Sequence, residues 1–258
     1  MPRRKRFLSS SKVYHIIIKG IDESDIFFSD QDRINFIEKL KLVKEKFFLQ
    51  IYAYCLMSNH VHLVFKADDE FLSKSIQNLS QRYSYYFNSI YNRKGPLFQD
   101  RFFSKNVENQ KYFLDVCRYV HRNPEKAQIA LTTEYKWSSY QEYIESEKII
   151  SKEILLYYFS NDLNNFIKFT TREDTLVDLI SSVNFEMNTR IPDEEIVEII
   201  IKICNIENVS EIFEYFKIKE NREALKEFKE IREVSISQLS RITRVNKKAL
   251  GQILDRDR

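Results

Sequence analysis

Glycine and proline are scarce: the chain has three and four of them in 258 residues. So few chain-breakers argue against a loop-rich molecule and for regular, helix-rich structure. Cysteine is scarce too. Cys55, Cys117 and Cys204 are far apart and odd in number, which excludes a disulfide framework or a zinc-ligand pattern and makes a reducing cytoplasm the expected compartment. No apolar run approaches the roughly 20 residues that cross a bilayer, and the opening MPRRKRFLSSSKVYHIIIKG lacks a signal peptide's apolar core. What is present is 43% hydrophobic and 14% aromatic residues, enough at this length for one large core or two modest ones.

Charge of one sign is not in excess overall, but it is unevenly spread. Residues 1–150 carry 24 Lys and Arg against 18 Asp and Glu, whereas residues 151–258 carry 17 against 20. Arg3, Arg4, Lys5 and Arg6 form a compact basic arm, read either as a polyanion contact or as a solvated end.

The first half alternates strand and helix patterns. VYHIII (13–18), LQIYAYC (49–55), HVHLVFK (60–66) and FFSKNV (102–107) read as strands, the middle two as an antiparallel hairpin across LMSN. Ser29 with Asp32 marks the start of a helix running to about Phe47. A long amphipathic helix carries Leu72, Ile76, Leu79, Tyr83, Phe87 and Ile90. Asn109 caps a third helix, which Pro124 is expected to end. The order β-α-β-β-α-β-α predicts an α+β fold: a ferredoxin-like antiparallel sheet with helices on one face. After about residue 150 only helical periods recur, at 172–183, 192–203 (from Pro192), 208–216, 220–231 and 235–254. The boundary lies within 145–172, and the domains are read as 1–148 and an all-α 149–258.

The chemistry concentrates in CLMSNHVHLVFK (55–66). Side chains alternate along a strand, so His60 and His62 share one face and can offer nitrogens to a single cation. The bland alternative is a hydrogen-bonded pair on a half-exposed sheet. His15, on the first strand, and His121 are the other histidines. On the third helix Phe113, Val116, Cys117 and Val120 form the apolar stripe, with Tyr119 and Asn123, one turn apart, on its border. Asn123 offers a carbonyl oxygen to complete a coordination set. Tyr119 would then stand beside the ion as a nucleophile; its bland reading is one tyrosine among fifteen edging the core.

AYCLMSNHVHLVFK, GPLFQDRFFSKNVE (95–108), CRYVHRNPEKA (117–127) and YKWSSY (135–140) together resemble the single-tyrosine HUH transposases, in particular the REP-associated tyrosine transposases. The resemblance spans roughly residues 3–145. It implies that His60 and His62 hold a divalent metal, Mg²⁺ or Mn²⁺, with Asn123 as third ligand where insertion-sequence relatives carry glutamine. It implies Tyr119 as the nucleophile that cleaves and rejoins single-stranded DNA near hairpins such as REP-like palindromes, through a 5′-phosphotyrosine link and a free 3′-OH. Lys19-Gly20-Ile21-Asp22-Glu23 departs from the Arg-Gly pattern of many relatives and is more acidic.

Single-stranded DNA calls for cations that follow phosphates and aromatic faces that stack on bases. Arg82, Arg93, Lys94, Arg101, Lys105, Arg118 and Arg122 are the candidates near the site, together with Arg3, Arg4 and Arg6 of the arm. SISQLSRITRVNKKALGQIL (235–254) resembles a helix-turn-helix. Asn246 is placed to cap its second helix, which puts Lys247 and Lys248 at the end that would enter a duplex groove. Arg244 stands at the turn position that usually holds glycine. A helical bundle that packs or dimerises is the competing reading. For the whole chain, two alternatives to strand transfer remain: a hairpin-binding regulator that does not cut, and a hydrolytic metallophosphodiesterase. No membrane partner is expected, and the oligomeric state stays open.

Overall fold

A computed structural model of the chain describes residues 8–99, 101–146, 149–175, 178, 193–230 and 234–254. The described chain divides into two compact units, 1–172 and 173–258. The division falls beyond the 148/149 boundary read from the sequence, because the helices after residue 150 pack onto the first unit.

In the first unit β1 (Val13–Lys19), α1 (Asp30–Phe47), β2 (Gln50–Leu56), β3 (His60–Lys66), α2 (Asp69–Ile90), β4 (Phe103–Asn106) and α3 (Gln110–Lys126) follow in order. The four strands pair antiparallel in the order β2-β3-β1-β4, the ferredoxin-like arrangement. Local signals set these elements. Ser29 Oγ accepts from Asp32 N while Asp32 accepts from Ser29 N, a reciprocal cap for α1. Asn109 Oδ1 accepts from Tyr112 N at 2.9 Å and starts α3.

The register decides which face each helix covers. Across an antiparallel pair, directly opposed residues point to the same side. His15 opposes Val64 and Lys105, Ile17 opposes His62, and Lys19 opposes His60, so all of these share one face. Tyr14 points to the other, where its hydroxyl donates to Asp69 at the start of α2. Phe36 of α1 and Tyr83 of α2 are fully buried against each other there. The histidine face is covered by α3. The helices therefore lie on both faces, not on one as the element order suggested.

Three shorter helices follow: α4 (Tyr140–Ile144), α5 (Lys152–Tyr157) and α6 (Leu163–Thr171). Residues of the YKWSSY stretch close the outer edge of β2: Leu56 N donates to Trp137 O, and Ser139 N to Tyr54 O. Packing between the sheet and α6 buries α3 from Val116 to Pro124 nearly all round. Its apolar stripe is wider than helical spacing alone indicated. Pro124 does not end the helix, which runs to Lys126. So close to the C-terminus its missing N–H removes only one late helical bond.

In the second unit α7 (Asp193–Cys204), α8 (Glu211–Lys217), a 3₁₀ stretch (Glu220–Glu230), α9 (Ile236–Thr243) and α10 (Lys247–Ile253) surround a core that includes Ile196, Ile200, Phe216, Phe228, Leu239 and Leu250. Among the described residues after 150 there is no strand. Asn246 Oδ1 accepts from Ala249 N at 2.8 Å and caps α10. Arg244 is left-handed at φ 56°, where glycine would be unstrained, and its guanidinium lies 4.7 Å from the ring centroid of Phe213. The expected helix at 172–183 and Pro192 lie mostly or wholly outside the described residues. No described helix is long and apolar enough to cross a membrane.

Candidate active site

The strand register brings three imidazoles together on one sheet face. His15 and His62 are fully or nearly buried; their rings stack at 12° with centroids 5.3 Å apart, and His15 Nε2 lies 3.0 Å from His62 Nδ1. The His60 ring stands edge-on to His62 at 4.9 Å, and its Nδ1 donates to Asn59 Oδ1 at 2.6 Å. Gly20 begins the neighbouring turn: it donates to Asn59 O, and a Cβ there would collide with the Ser24 carbonyl oxygen. Within that turn Lys19 Nζ pairs with Glu23 Oε1 at 2.8 Å, so Glu23 adds little uncompensated negative charge.

Helix α3 supplies the facing wall. The edge of the Tyr119 ring meets His62 at 5.5 Å and His15 at 6.1 Å, centroid to centroid. One turn on, Asn123 Nδ2 lies 3.3 Å from His62 Nε2. Lys126, almost two turns beyond Tyr119, holds its Nζ 4.9 Å from the Tyr119 ring centroid. Residues 119, 123 and 126 thus form one row along the helix. Tyr119 is 5% exposed and Asn123 8%, whereas Ser58, Asn59 and His60 are half-buried and form the rim.

Burial, with Lys19 next in effect, pushes His60 down to about 4; its bond to Asn123 and the Glu23 carboxylate oppose the shift. Burial, then the charge of Lys105, brings His15 to about 3, and burial holds His62 well below its ordinary value. All three rings are neutral at pH 7 and keep a lone pair to offer.

These residues fit a divalent cation. Both candidate histidine ligands have Nδ1 engaged, by Asn59 Oδ1 and by His15 Nε2. Their Nε2 atoms therefore carry the lone pairs a cation would take; at His62 that lone pair now accepts from Asn123 Nδ2 at 3.3 Å, a bond a cation would replace as the carboxamide turned its oxygen inward. Among the described residues no three His, Cys, Asp or Glu side chains form a metal-holding group; the set here is two imidazoles and a carboxamide.

The other candidates scatter. Arg82, Lys94 and Arg101 are exposed, and Arg93 and Lys105 are half-buried over the rings of Phe87 and Phe103. Arg118 and Arg122 are buried, Arg118 turned onto backbone and Arg122 onto backbone and the Glu125 carboxylate at 3.0 Å. Arg118 donates to Phe169 O and Arg172 O, and Arg122 donates to Arg172 O at 2.7 Å, so both satisfy the C-terminal end of α6. Lys247 and Lys248 are exposed at the start of α10. Arg3, Arg4 and Arg6 lie outside the described residues. His15, Asn59 and Lys126 were given no role by the sequence. Alternation puts His15 on the face of His62 only once the β1–β3 register is known, and Lys126 carries a signal in its seven-residue spacing from Tyr119.

Comparison with known proteins adds three findings. Residues 9–123, somewhat under half the chain, match the family model described as IS200-like transposase. The chain is similar to the REP-associated tyrosine transposase solved bound to a REP hairpin, at 16% identity over 56% of this chain and 86% of that one, with a TM-score of 0.47. It is also similar to a protein of Deinococcus radiodurans R1 described as a candidate transposase, at 16% identity over 57% and 98% of the two chains, with a TM-score of 0.33. No curated protein matches the chain.

Proposed function

We propose, from the match of residues 9–123 to the IS200-like transposase model, that the chain is a metal-dependent strand transferase acting on single-stranded DNA beside hairpins. The observation that supports this most is the convergence of Tyr119, His62 and Asn123, with His60 adjoining at the rim.

In this reading Tyr119 Oη attacks a backbone phosphorus and the bond to the 3′ oxygen breaks. A 5′-phosphotyrosine link forms, and the 3′ oxygen takes up a proton as the phenol gives one up. A cation held by His60, His62 and Asn123 would offset charge on the phosphate oxygens. The Lys126 ammonium beside the phenol ring adds positive charge next to the attacking group. Rejoining runs the same steps backwards from a 3′-OH.

Exposed Arg82, Lys94 and Arg101, with Arg93 and Lys105, are the proposed phosphate contacts. The arm of Arg3, Arg4 and Arg6 is proposed to grip a hairpin stem. The α9–α10 pair is proposed as a helix-turn-helix that meets duplex DNA through Lys247 and Lys248. The place of action on this reading is the cytoplasm, at the nucleoid.

The test is incubation with hairpin-bearing single-stranded DNA and Mn²⁺ or Mg²⁺, followed by a search for a covalent adduct. The adduct should vanish in Tyr119→Phe and in the joint His60→Ala, His62→Ala variant. Tight hairpin binding with no cleavage under either metal would leave a binding regulator in its place.

A further inference from the structure

We propose that His15 is a positioning residue for the cation site: its Nε2 accepts the Nδ1–H of His62 and fixes which nitrogen of that ring faces the ligand position. This rests on the cation reading of His60, His62 and Asn123 above.

The directions of three hydrogen bonds agree. Asn123 Nδ2 can only donate, so at 3.3 Å His62 Nε2 is the acceptor. A neutral imidazole that accepts at Nε2 carries its proton on Nδ1. That proton lies toward His15 Nε2, 3.0 Å away, which must then accept. His15 reaches this position because β1 and β3 pair with Ile17 opposite His62, leaving His15 diagonally across the same face. The near-parallel stacking of the rings at 12° keeps the two nitrogens aligned. His60 is served in the same way by Asn59 Oδ1 at 2.6 Å, so both ligand rings are oriented from behind. Outer partners of this kind hold ligand geometry, and their loss typically lowers metal affinity about 10- to 100-fold.

Two substitutions separate acceptor from filler in the full chain. His15→Leu fills the space without an acceptor, and His15→Gln keeps an amide oxygen that can accept. Mn²⁺ binding is measured by electron paramagnetic resonance, alongside ¹⁵N chemical shifts of the His62 imidazole and the melting temperature without metal. The expected outcome is a His62 Nδ1–H tautomer in the wild type, an about 10- to 100-fold loss of Mn²⁺ affinity in His15→Leu, and most of it recovered in His15→Gln. A folded His15→Leu variant that binds Mn²⁺ like the wild type overturns the proposal, as does a His15→Gln variant as weak as His15→Leu. If His15→Leu fails to fold, the wild-type tautomer and the His15→Gln affinity decide. If the wild-type chain binds no Mn²⁺, the cation reading itself has failed, while an Nε2–H tautomer at His62 would overturn the His15 bond independently.

Discussion

The Arg118 guanidinium donates to the carbonyls of Phe169 and Arg172 at 2.9 and 2.6 Å, tying the residue directly before Tyr119 to the last turn of α6. A cation at a helix C-terminus satisfies orphan carbonyls and complements the helix dipole. The tyrosine helix is thereby held from the side away from the sheet, while Asn123 and Tyr119 hold the other side against the histidines.

Removing that tie should destabilise the fold and leave phosphate binding alone. Arg118→Ala takes the Phe169 carbonyl's guanidinium partner away while Arg122 still donates to Arg172 O, and is expected to lower unfolding free energy by about 1–2 kcal/mol in urea titration. The slope of DNA affinity against salt should match the wild type, because a guanidinium occupied by backbone neutralises no phosphate.

The exposed cations should behave in the opposite way. Arg82→Ala, Lys94→Ala and Arg101→Ala are expected to leave the urea midpoint nearly unchanged. Each residue that contacts a phosphate should flatten the log–log salt dependence of single-strand binding by about 0.7 when removed. Affinity measured between 50 and 200 mM salt checks this residue by residue.

Acid should destabilise the first unit through its buried histidines, and His121, on the tyrosine helix but turned toward Ser139, reports this. Its ring lies among Tyr140, Tyr143 and Phe166, with Nε2 2.9 Å from Ser139 Oγ. Burial pushes it down to about 3. Below its ordinary value of 6.5 the unfolded chain binds a proton that the folded chain refuses. Stability should therefore fall as pH drops from 6.5 toward 3, by about 1.4 kcal/mol per unit for this group, and be insensitive to it above 6.5. Urea unfolding at pH 7, 6 and 5 should show the slope, reduced by one proton's worth in His121→Gln.

Lys126 should matter to rate more than to stability. With its ammonium 4.9 Å from the Tyr119 ring centroid, Lys126→Ala is expected to slow adduct formation at pH 7 about tenfold or more, because that positive charge offsets negative charge building around the attacked phosphate. Single-turnover cleavage at pH 7 beside a urea titration measures this; an unchanged rate would remove Lys126 from the chemistry.

Much of this was legible before any coordinates. A β-branched run marked β1 and strand patterns the other three, Ser29 and Asn109 announced their helices, and strict alternation put His60 and His62 on one face. What stayed hidden depended on distant pairing. The role of His15 follows from the β1–β3 register, which no local pattern specifies. Arg118 and Arg122 read as cleft cations because arginine beside a candidate nucleophile suggests a phosphate, yet α6, some fifty residues on, takes both of them. Pro124 shows the limit of a local rule: tertiary packing carries α3 past it to Lys126.

The most direct measurement is the chemical identity of the protein–DNA linkage. After reaction with hairpin-bearing single-stranded DNA and Mn²⁺, digestion and mass spectrometry should find a nucleotide joined through its 5′ phosphate to the peptide containing Tyr119, with a free 3′-OH on the released strand. A linkage at any other residue, or cleavage that leaves no protein-bound strand, would contradict the account.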